Sequence, residues 1–511
     1  MLNRFLAIVV GATLLFGAGL GFTPACAAGP GAATNGKLLP SADLLQTWHV
    51  EKARGGPTFS GSPAWRAHIE FVEQELGKRG VVGFARDEYS YARWFVPDES
   101  PAAMRLAIGA AEIPVAAYWA YSGATGPEGV NGKLLLYNKS IPREALRGRI
   151  VVFEVEQPPE SMFAAFGAGN VFNTGTSTDT ALSSDQWYQG NFVTRFGRFD
   201  EVLKDSGALG GVVIFDMSPG RAAGLYTFPL LNAGVFGVPG LYVDRIAGAT
   251  LRQAAVDGQS ATLTLRAREE TARPYFLYGI LPGRDYGTDN DRFVLLVTHS
   301  DGPNLTQENG TLGILGIVDY FSRVPQAERA RSLLVLFDPQ HYAPGRHLVD
   351  WYEKHPDLVE RIVASIGVEQ LGQREYAEQG NTYGLNGLAE PTLIFAQENE
   401  RLVQIAIDAV RAAGIPRTEV RVPSRGKQGM WAGLGDIAIK LNRPGFAISS
   451  GMSGYWTTTP GMESFDKDLC FRQLSALVTM TTALMDTNLD DIAVPVVDPA
   501  KNPALSPGVR R

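Results

Sequence analysis

The sequence predicts an α/β fold in which a mixed, mostly parallel sheet is flanked by helices and a β-rich unit is inserted. Between residues 275 and 490, short apolar runs alternate with helical patterns, which is typical of β-α-β units. Between residues 127 and 268, short apolar runs bounded by glycine follow one another more closely, which indicates a separate β-rich unit. Polar residues directly follow several apolar runs, and open α/β sheets place their functional sites there.

The composition is that of a globular protein with more than one domain. The chain has 511 residues, of which 45% are hydrophobic and 19% are charged. This length exceeds what one ordinary core accommodates. The formal net charge is −7, and no long run of basic residues occurs. Because a nucleic-acid interface requires clustered Lys and Arg, we expect no nucleic-acid partner.

Residues 1–28 predict a secretory signal peptide. Arg4 precedes an apolar run from residue 5 to 22, and Ala25-Cys26-Ala27 fits a small-x-small cleavage site. We therefore expect the protein to be periplasmic or secreted. Two alternatives stay open, a retained membrane anchor and a lipoprotein modified at Cys26. The remaining sequence has no apolar stretch long enough to cross a bilayer, so no stable membrane span is expected.

Residues 41–126 are predicted to form the N-terminal part of the main domain. Their clearest element is a helix, because Ser62 and Pro63 give the pattern of an N-cap followed by proline at the first helical position. Apolar residues then recur at helical spacing from Trp65 to Leu76. This helix is expected to pack one face against the core.

Residues 127–268 are predicted to form the inserted unit. Its predicted strands, with the turns that lead into the second and third of them, are 132–137, 146–154, 207–215, 238–243 and 261–266, and its predicted helices are 199–206 and 244–256. The order of a "GKIVL"-type strand, a "GAxGVI" strand after a helix, and a third strand followed by a helix resembles the protease-associated domain. This resemblance implies a unit without catalytic residues that covers or frames the active site of its host enzyme. Residues 157–195 are a longer insertion that the pattern does not explain.

Residues 275–490 are predicted to form the main domain. The predicted strands are 293–298, 332–337, 364–368 and 444–449, and the main helices are 311–321, 402–413 and 466–485. Strands that are apolar throughout and alternate with helices favour a sheet covered on both faces. Residues 491–511 are rich in proline and are predicted to be a flexible tail.

Polar side chains follow four of the predicted strands. The residues concerned are His299, Asp301 and Glu308 after the first strand, Gln340 and His341 after the second, Glu369 after the third, and Tyr455 and Trp456 after the last. Carboxyl ends of parallel strands meet at one edge of a sheet, so we expect these side chains to lie close together. Imidazole and carboxylate groups together suit a divalent metal such as zinc.

The order and spacing of these residues resemble the co-catalytic zinc aminopeptidases, the group that includes aminopeptidase Y and glutamate carboxypeptidase. His299-Ser300-Asp301 matches the His-x-Asp motif, which implies that His299 binds metal and that Asp301 orients its imidazole. Glu308-Asn309-Gly310 stands where the family has Asp-Asn-Gly with a metal-bridging carboxylate. Glu369 stands at the position of an Asp ligand.

Besides these two exchanges of Asp for Glu, three positions depart from the family pattern in their chemistry. Gln340 stands where the family has its general base, and a neutral amide has no useful basicity. His341 replaces a ligand Glu, and Trp456 replaces the final His ligand. The sequence therefore predicts one zinc ion rather than two, bound by His299, Glu308, Glu369 and, in an open alternative, His341. His341 is equally open to a role as the base, which leaves Asp301, Gln340 and His341 as the candidate catalytic positions.

The predicted function is that of an exported metallopeptidase-like hydrolase, an aminopeptidase or a related amide or ester hydrolase. Its partner is a peptide or a small-molecule substrate, with Tyr455, Trp456 and Asp436 as substrate-binding candidates. An alternative is a non-catalytic binding protein in which Tyr455 and Trp456 form an aromatic wall of the peptidase cleft. A third interpretation is a different reaction on the same fold. Metal content distinguishes the first from the second.

Overall fold

The computed structural model describes residues 34–97, 102–155, 169–174, 188–227, 234–425, 431 and 433–496. The predicted signal peptide, residues 1–28, and the tail from residue 497 onwards lie outside the described residues. Most of the unexplained insertion at residues 157–195 also lies outside them.

The helices follow the capping signals of the sequence. They are α1 (Ala42–Ala53), α2 (Pro63–Lys78), α3 (Phe199–Leu203), α4 (Pro219–Ala222), α5 (Arg245–Val256), α6 (Gly310–Ser322), α7 (Leu348–Lys354), α8 (Pro356–Arg361), α9 (Glu400–Ala413), α10 (Ile437–Lys440) and α11 (Lys467–Asp486). The side chains of Ser62, Asn399 and Asp466 accept hydrogen bonds from backbone N–H groups in the first turns of α2, α9 and α11. These bonds satisfy donors that a helix N-terminus leaves without an intrahelical partner.

The strands form two large sheets and two short ribbons. The strands are β1 (Val82–Glu88), β2 (Tyr91–Phe95), β3 (Met104–Ile108), β4 (Ala111–Ile113), β5 (Ala117–Tyr118), β6 (Val130–Leu136), β7 (Arg149–Glu154), β8 (Asn170–Asn173), β9 (Gly210–Ile214), β10 (Gly240–Val243), β11 (Ser260–Leu265), β12 (Arg268–Ala272), β13 (Tyr275–Leu281), β14 (Phe293–His299), β15 (Ser332–Asp338), β16 (Ile362–Val368), β17 (Arg374–Gln379), β18 (Thr382–Ala389), β19 (Thr392–Ala396), β20 (Thr418–Arg421) and β21 (Gly445–Ser450). The ribbons pair β2 with β12 and β17 with β18.

The main sheet has nine strands in the order β1-β13-β15-β14-β16-β21-β19-β20-β8. Strands β15, β14, β16 and β21 run parallel at its centre, and antiparallel pairs lie toward both edges. The sheet is therefore mixed, as predicted. Strand β8 comes from the unexplained insertion and extends the far edge beside β20.

Helices cover both faces of the main sheet. The central strand β14 is accordingly apolar on both sides. Val294 and Leu296 belong to the core formed with α1, α2, α6 and α11. Phe293, Leu295 and Val297 point to the opposite core, which includes residues of α7 and α10. This arrangement confirms the predicted α/β class and fixes the carboxyl ends of the central strands within the molecule.

The eight-stranded sheet has the order β4-β3-β11-β6-β7-β9-β10-β5. It defines what we call the second unit, the described residues between 102 and 265 apart from β8, which belongs to the main sheet. The unit starts before the expected boundary at residue 127, because β3 pairs with β11 and β5 pairs with β10. Its identity as a protease-associated domain stays a prediction.

The second unit contacts the main domain at the loop after β21 and at the β17–β18 hairpin, among other places. The backbone N–H of Tyr226 donates to the carbonyl of Trp456 at 2.6 Å. The Glu378 carboxylate, on the β17–β18 hairpin, accepts from the buried Arg221 guanidinium at 3.0 Å and lies 3.3 Å from Arg245. These contacts fix the second unit beside the loop that follows β21.

Within the described ranges, no helix is both long enough and apolar enough to cross a membrane.

Candidate active site

The carboxyl ends of β14, β15 and β16 bring the predicted residues to one edge of the main sheet. His299 is the last residue of β14 and is in register with Asp338, the last residue of β15. Glu369 directly follows β16. A cleft of about 270 Å³ opens there, lined by Asn191, Arg195, His299, His341, His347, Leu348, Gly433, Leu434, Asp436, Lys440, Tyr455 and Trp456.

The four predicted metal ligands meet as two neighbouring pairs. His299 Nε2 lies 4.0 Å from Glu369 Oε1, and His341 Nδ1 lies 2.7 Å from Glu308 Oε1. The two imidazole rings stack face to face, with centroids 4.1 Å apart and an interplanar angle of 13°. Nitrogen lone pairs lie in the ring plane, so two parallel rings do not aim their donor atoms at one common point.

Glu308 is completely buried just before α6, and its Oε1 faces His341 Nδ1. Burial raises the pKa of this carboxyl well above its usual value, and the nearby charge of Lys52 opposes the shift. Lys52 is itself buried, and burial lowers its pKa to about 8. Its Nζ lies 3.4 Å from both Thr58 Oγ1 and the Asn304 carbonyl. No motif in the sequence indicated this lysine.

Glu369 is held by a backbone bond and by a glycine. Its Oε1 accepts from the Leu434 N–H at 3.0 Å, and burial, followed by the charge of Glu308, raises the pKa of its carboxyl to about 8. Gly433 has a φ of +55°, and a Cβ at this position would lie 1.7 Å from Glu369 Oε1. Only glycine therefore fits beside this carboxylate.

Asp301 fixes the loop that carries His341. Its carboxylate accepts from the backbone N–H groups of His341 at 3.0 Å and Tyr342 at 2.7 Å. Burial raises the pKa of Asp301 to about 7, while the His341 charge and these bonds act in the opposite direction. The role predicted for Asp301 in orienting His299 stays a prediction.

The Gln340 side chain lies outside the cleft. Its backbone N–H donates to Asp338 Oδ1 at 2.7 Å, and its Nε2 donates to Asp350 Oδ2 at 3.2 Å. It lines a different cavity, of about 420 Å³, together with Tyr89 and Trp351. The residue at the family's base position is thus directed away from His299.

The three substrate-binding candidates, Tyr455, Trp456 and Asp436, line the cleft. Trp456 is also held by contacts within the protein. The Trp456 backbone N–H donates to Gln307 Oε1 at 2.7 Å. A Cβ on Gly190 would lie 1.9 Å from Trp456 Cε3, so the indole packs directly on the backbone of the second unit. Tyr455 lines the cleft beside Trp456. The Asp436 carboxylate forms an ion pair with Lys440 Nζ at 2.6 Å.

Two residues of the second unit also line the cleft, Asn191 and Arg195. They belong to the insertion that the sequence pattern did not explain, so no periodicity or motif indicated them. Arg195 is exposed. Burial lowers the pKa of His341, and the positive charge of Arg195 adds to this effect. The second unit thus supplies a cation to the cleft.

Asp338 and His347 complete a further cluster with His299. In the described part of the chain, this is the one group of three His, Cys, Asp or Glu residues whose ligand atoms all lie within 4.8 Å of one another. His347 is not among the residues that the motif pattern predicts for the site. The helix α7 starts only at Leu348, and His347 lies in the preceding loop and faces the cleft. Asp338 directly follows a predicted strand, which is a signal for a site residue, but it belongs to none of the matched motif positions.

The donor atoms at this edge suit a metal ion. Oδ2 of Asp338 and Nδ1 of His347 are buried atoms without a hydrogen-bond partner in the described structure. A buried polar atom without a partner costs about 1–3 kcal/mol, so such a concentration calls for a compensating ligand. Carboxylate oxygen and imidazole nitrogen are donors that zinc accepts.

The sequence matches no family model and no curated protein. The structure is similar to solved zinc aminopeptidases and related peptidases. The similar structures include a peptidase M28 precursor from Shewanella amazonensis (TM-score 0.62, 12% identity, covering 89% of this chain and 95% of that one), the zinc aminopeptidase BSAP from Bacillus subtilis (0.56, 14%, 90% and 100%), and an aminopeptidase from Aneurinibacillus sp. strain AM-1 (0.52, 11%, 90% and 97%). The chain therefore has a zinc-exopeptidase fold.

Proposed function

We propose that this protein is an exported hydrolase of the metallopeptidase type that cleaves peptide or related amide or ester bonds with one zinc ion. The observation that supports this most directly is the convergence of His299, Glu308, His341 and Glu369 at the carboxyl ends of β14 to β16, where the two histidines line the cleft. The zinc-exopeptidase fold makes hydrolysis the expected chemistry at this edge of the sheet.

His299 would hold the zinc ion, because it belongs both to the predicted ligand set with Glu308 and Glu369 and to the cluster with Asp338 and His347. A bound zinc ion supplies Lewis acidity toward a carbonyl group and makes water more acidic. The Asp338 Oδ2 and His347 Nδ1 atoms, which have no hydrogen-bond partner among the described residues, support a cation at this place.

His341 takes the role of proton acceptor in this proposal. Its Nδ1 faces Glu308 Oε1 at 2.7 Å, and a carboxylate in this position orients an imidazole and stabilises its protonated form. Asp301 holds the backbone of the same loop, which fixes the ring in the cleft. The His341–Glu308 pair therefore replaces the base that Gln340 does not provide.

The second unit and the loop after β21 define where a substrate enters. Asn191 and Arg195 of the second unit and Tyr455 and Trp456 of the loop after β21 line the cleft together with the histidines. Such a cleft offers apolar contact and a few placed polar groups, which fits a peptide or a small amide or ester. Asp436 is paired with Lys440, so this ion pair adds a polar group at the rim.

The test is a metal analysis combined with a hydrolysis screen on the purified protein. We expect about one zinc per chain, as in a mononuclear site, and cleavage of amino-acid p-nitroanilides or short peptides that stops on chelation and returns with zinc. His299→Ala is expected to lose both the metal and the cleavage. The matched control His355→Ala changes a histidine that contacts Asp87 outside the cleft and is expected to retain both.

Hydrolysis that persists after chelation or in His299→Ala would contradict the proposal. A protein that takes up no zinc and cleaves no substrate would favour the non-catalytic binding protein instead.

A further inference from the structure

We infer that the metal ion of this cleft is bound by His299, Asp338 and His347, displaced from the ligand set that the family resemblance implies. This inference rests on the proposed function, because it names the ligands of the metal which that function requires. It assigns to Asp338 and His347 a role that the motif pattern does not give them.

The fold brings the three donors together without any rearrangement. His299 and Asp338 end adjacent parallel strands in the same register, so their side chains emerge side by side. His347 reaches them from the loop between β15 and α7. All three ligand atoms lie within 4.8 Å of one another.

The spacing and the lack of competing partners fit a shared cation. His347 Nδ1 lies 3.7 Å from Asp338 Oδ2, which is too long for a hydrogen bond. Neither atom has a hydrogen-bond partner among the described residues. Two ligand atoms on one tetrahedral zinc ion lie about 3.3 Å apart, given bonds of roughly 2.0 Å. The two atoms are therefore nearly at the separation that a common zinc ion requires.

The ring orientations favour His347 over His341 as the second imidazole. The rings of His299 and His347 meet at 63°, with centroids 5.5 Å apart, so their in-plane lone pairs can point to one position. The rings of His299 and His341 are nearly parallel, at 13°, and would have to turn before they could share an ion. Among the described residues of the cleft, only His299 and His347 can therefore share an ion without a change in the orientation of a ring.

The backbone of His347 supports a specific role for this residue. His347 has a φ of +55° and a ψ of −143°, a conformation that a residue with a Cβ adopts only at a cost in free energy. Such strained residues concentrate at functional sites, where the surroundings hold them in place. The conformation directs the imidazole toward Asp338 and His299 instead of toward solvent.

Asp338 is also oriented as a ligand would be. Its Oδ1 accepts from the Gln340 N–H at 2.7 Å, while its Oδ2 faces His347. A hydrogen bond to one carboxylate oxygen fixes the direction of the other. In this arrangement Glu308, Glu369 and His341 remain available for proton transfer and substrate contact.

The experiment measures zinc and cobalt binding directly, by calorimetry and by the visible spectrum of bound cobalt. We expect His347→Ala and Asp338→Asn to weaken zinc binding by more than about 100-fold, beyond the 10–100-fold effect typical of a residue that acts only through a ligand. Glu308→Gln and Glu369→Gln are expected to weaken it less than this. His355→Ala is the control, and circular dichroism verifies that each variant is folded.

X-ray absorption on the zinc-loaded wild-type protein gives a second measurement that needs no variant. Two imidazoles and one carboxylate around the ion would support the inference, and a single imidazole would overturn it. Binding that depends on Glu308 and Glu369 but not on His347 would also overturn it, while leaving the proposed function intact. A wild-type protein that binds no zinc would overturn both.

Discussion

Trp456 stands where the resemblance to zinc aminopeptidases implies the last metal ligand, and here it joins the two parts of the molecule. Its indole packs against Gly190 of the second unit, and its carbonyl accepts from the Tyr226 N–H at 2.6 Å. Its φ of +60° turns the chain at this point. One residue of the cleft wall thus connects the main domain to the second unit.

Gly433 is a second residue whose identity the site requires, and it allows a specific prediction. Alanine in this conformation pays about 1–2 kcal/mol for its positive φ, and the added Cβ would displace the Glu369 carboxylate that lies 1.7 Å away, which adds about 1–3 kcal/mol of overpacking. We expect Gly433→Ala to lower the free energy of unfolding by the sum of these effects. Chemical denaturation measures this change.

Gly387→Ala is the matched control for this prediction. Gly387 also has a positive φ, of +83°, but no atom lies within 4 Å of a Cβ built there. The Gly387→Ala variant should lose only the part of the free energy of unfolding that the positive φ causes, about 1–2 kcal/mol. Equal losses of stability in the two variants would mean that Glu369 does not occupy the described position.

At the scale of elements, the buried central strands were the most predictable parts of the fold. The predicted strands at 293–298 and 332–337 correspond to β14 and β15, because a strand buried on both faces is a continuous apolar run with few other interpretations. Strand β8 and the β17–β18 hairpin were missed. Their residues are largely polar or exposed, so pairing with a neighbouring strand defines them and local sequence does not.

Only those site residues that belong to the motifs at strand ends could be predicted from the sequence. His299, His341 and Glu369 were named from strand ends, and the structure brings them together. Lys52 and Arg195 come from distant segments, and their proximity depends on tertiary packing that no local pattern encodes. Gln340 lies in the right loop, but its side chain points to Asp350, and side-chain direction in a loop is set by such contacts.

The β17–β18 hairpin is the element that ties the second unit to the main domain through Glu378. Arg221 is only 1% exposed, and Glu378 is its ion-pair partner at 3.0 Å. Removing one partner of a buried pair leaves an uncompensated charge, which costs about 3 kcal/mol or more. We expect Glu378→Ala to destabilise the protein by this amount, as measured by denaturant unfolding, and to loosen the second unit, as measured by hydrogen exchange in residues 210–214.

Glu154→Ala is a suitable control because Glu154 is paired with Arg252 on the exposed surface of the same unit. Surface ion pairs contribute about 0–1 kcal/mol, so a small change is expected. A loss for Glu378→Ala no larger than this would mean that the hairpin does not hold the second unit.

At the scale of the whole molecule, the protein buries several carboxyl groups around one cleft. Burial is the first cause that raises the pKa of Asp301 to about 7 and that of Glu369 to about 8, and Glu308 shifts in the same direction. Charges of one sign in a low-dielectric interior destabilise one another. A cation that binds only the folded state offsets this cost and stabilises the fold by mass action. The proposed zinc ion therefore has a structural as well as a catalytic consequence.

Glu390 is a buried carboxyl group with a raised pKa that lies away from the proposed ligands. It gives a prediction for the pH dependence of stability. It is completely buried and accepts from the Ser453 N–H at 3.2 Å, and burial raises its pKa from 4.5 to about 8. Between these values the folded protein binds more protons than the unfolded chain. The free energy of unfolding therefore decreases as pH rises from 4.5 to 8, by at most about 1.4 kcal/mol per pH unit from this group.

Glu390→Gln removes this titration while keeping the shape of the side chain and an oxygen acceptor for Ser453. We expect the variant to lose less stability than the wild-type protein between pH 4.5 and 8, measured by denaturant unfolding in the presence of a chelator. Glu360→Gln, which changes an exposed carboxylate on α8, should follow the wild-type curve. A Glu390→Gln curve parallel to that of the wild type would show that Glu390 does not hold its proton through this range, since only a group protonated in the folded state contributes the slope.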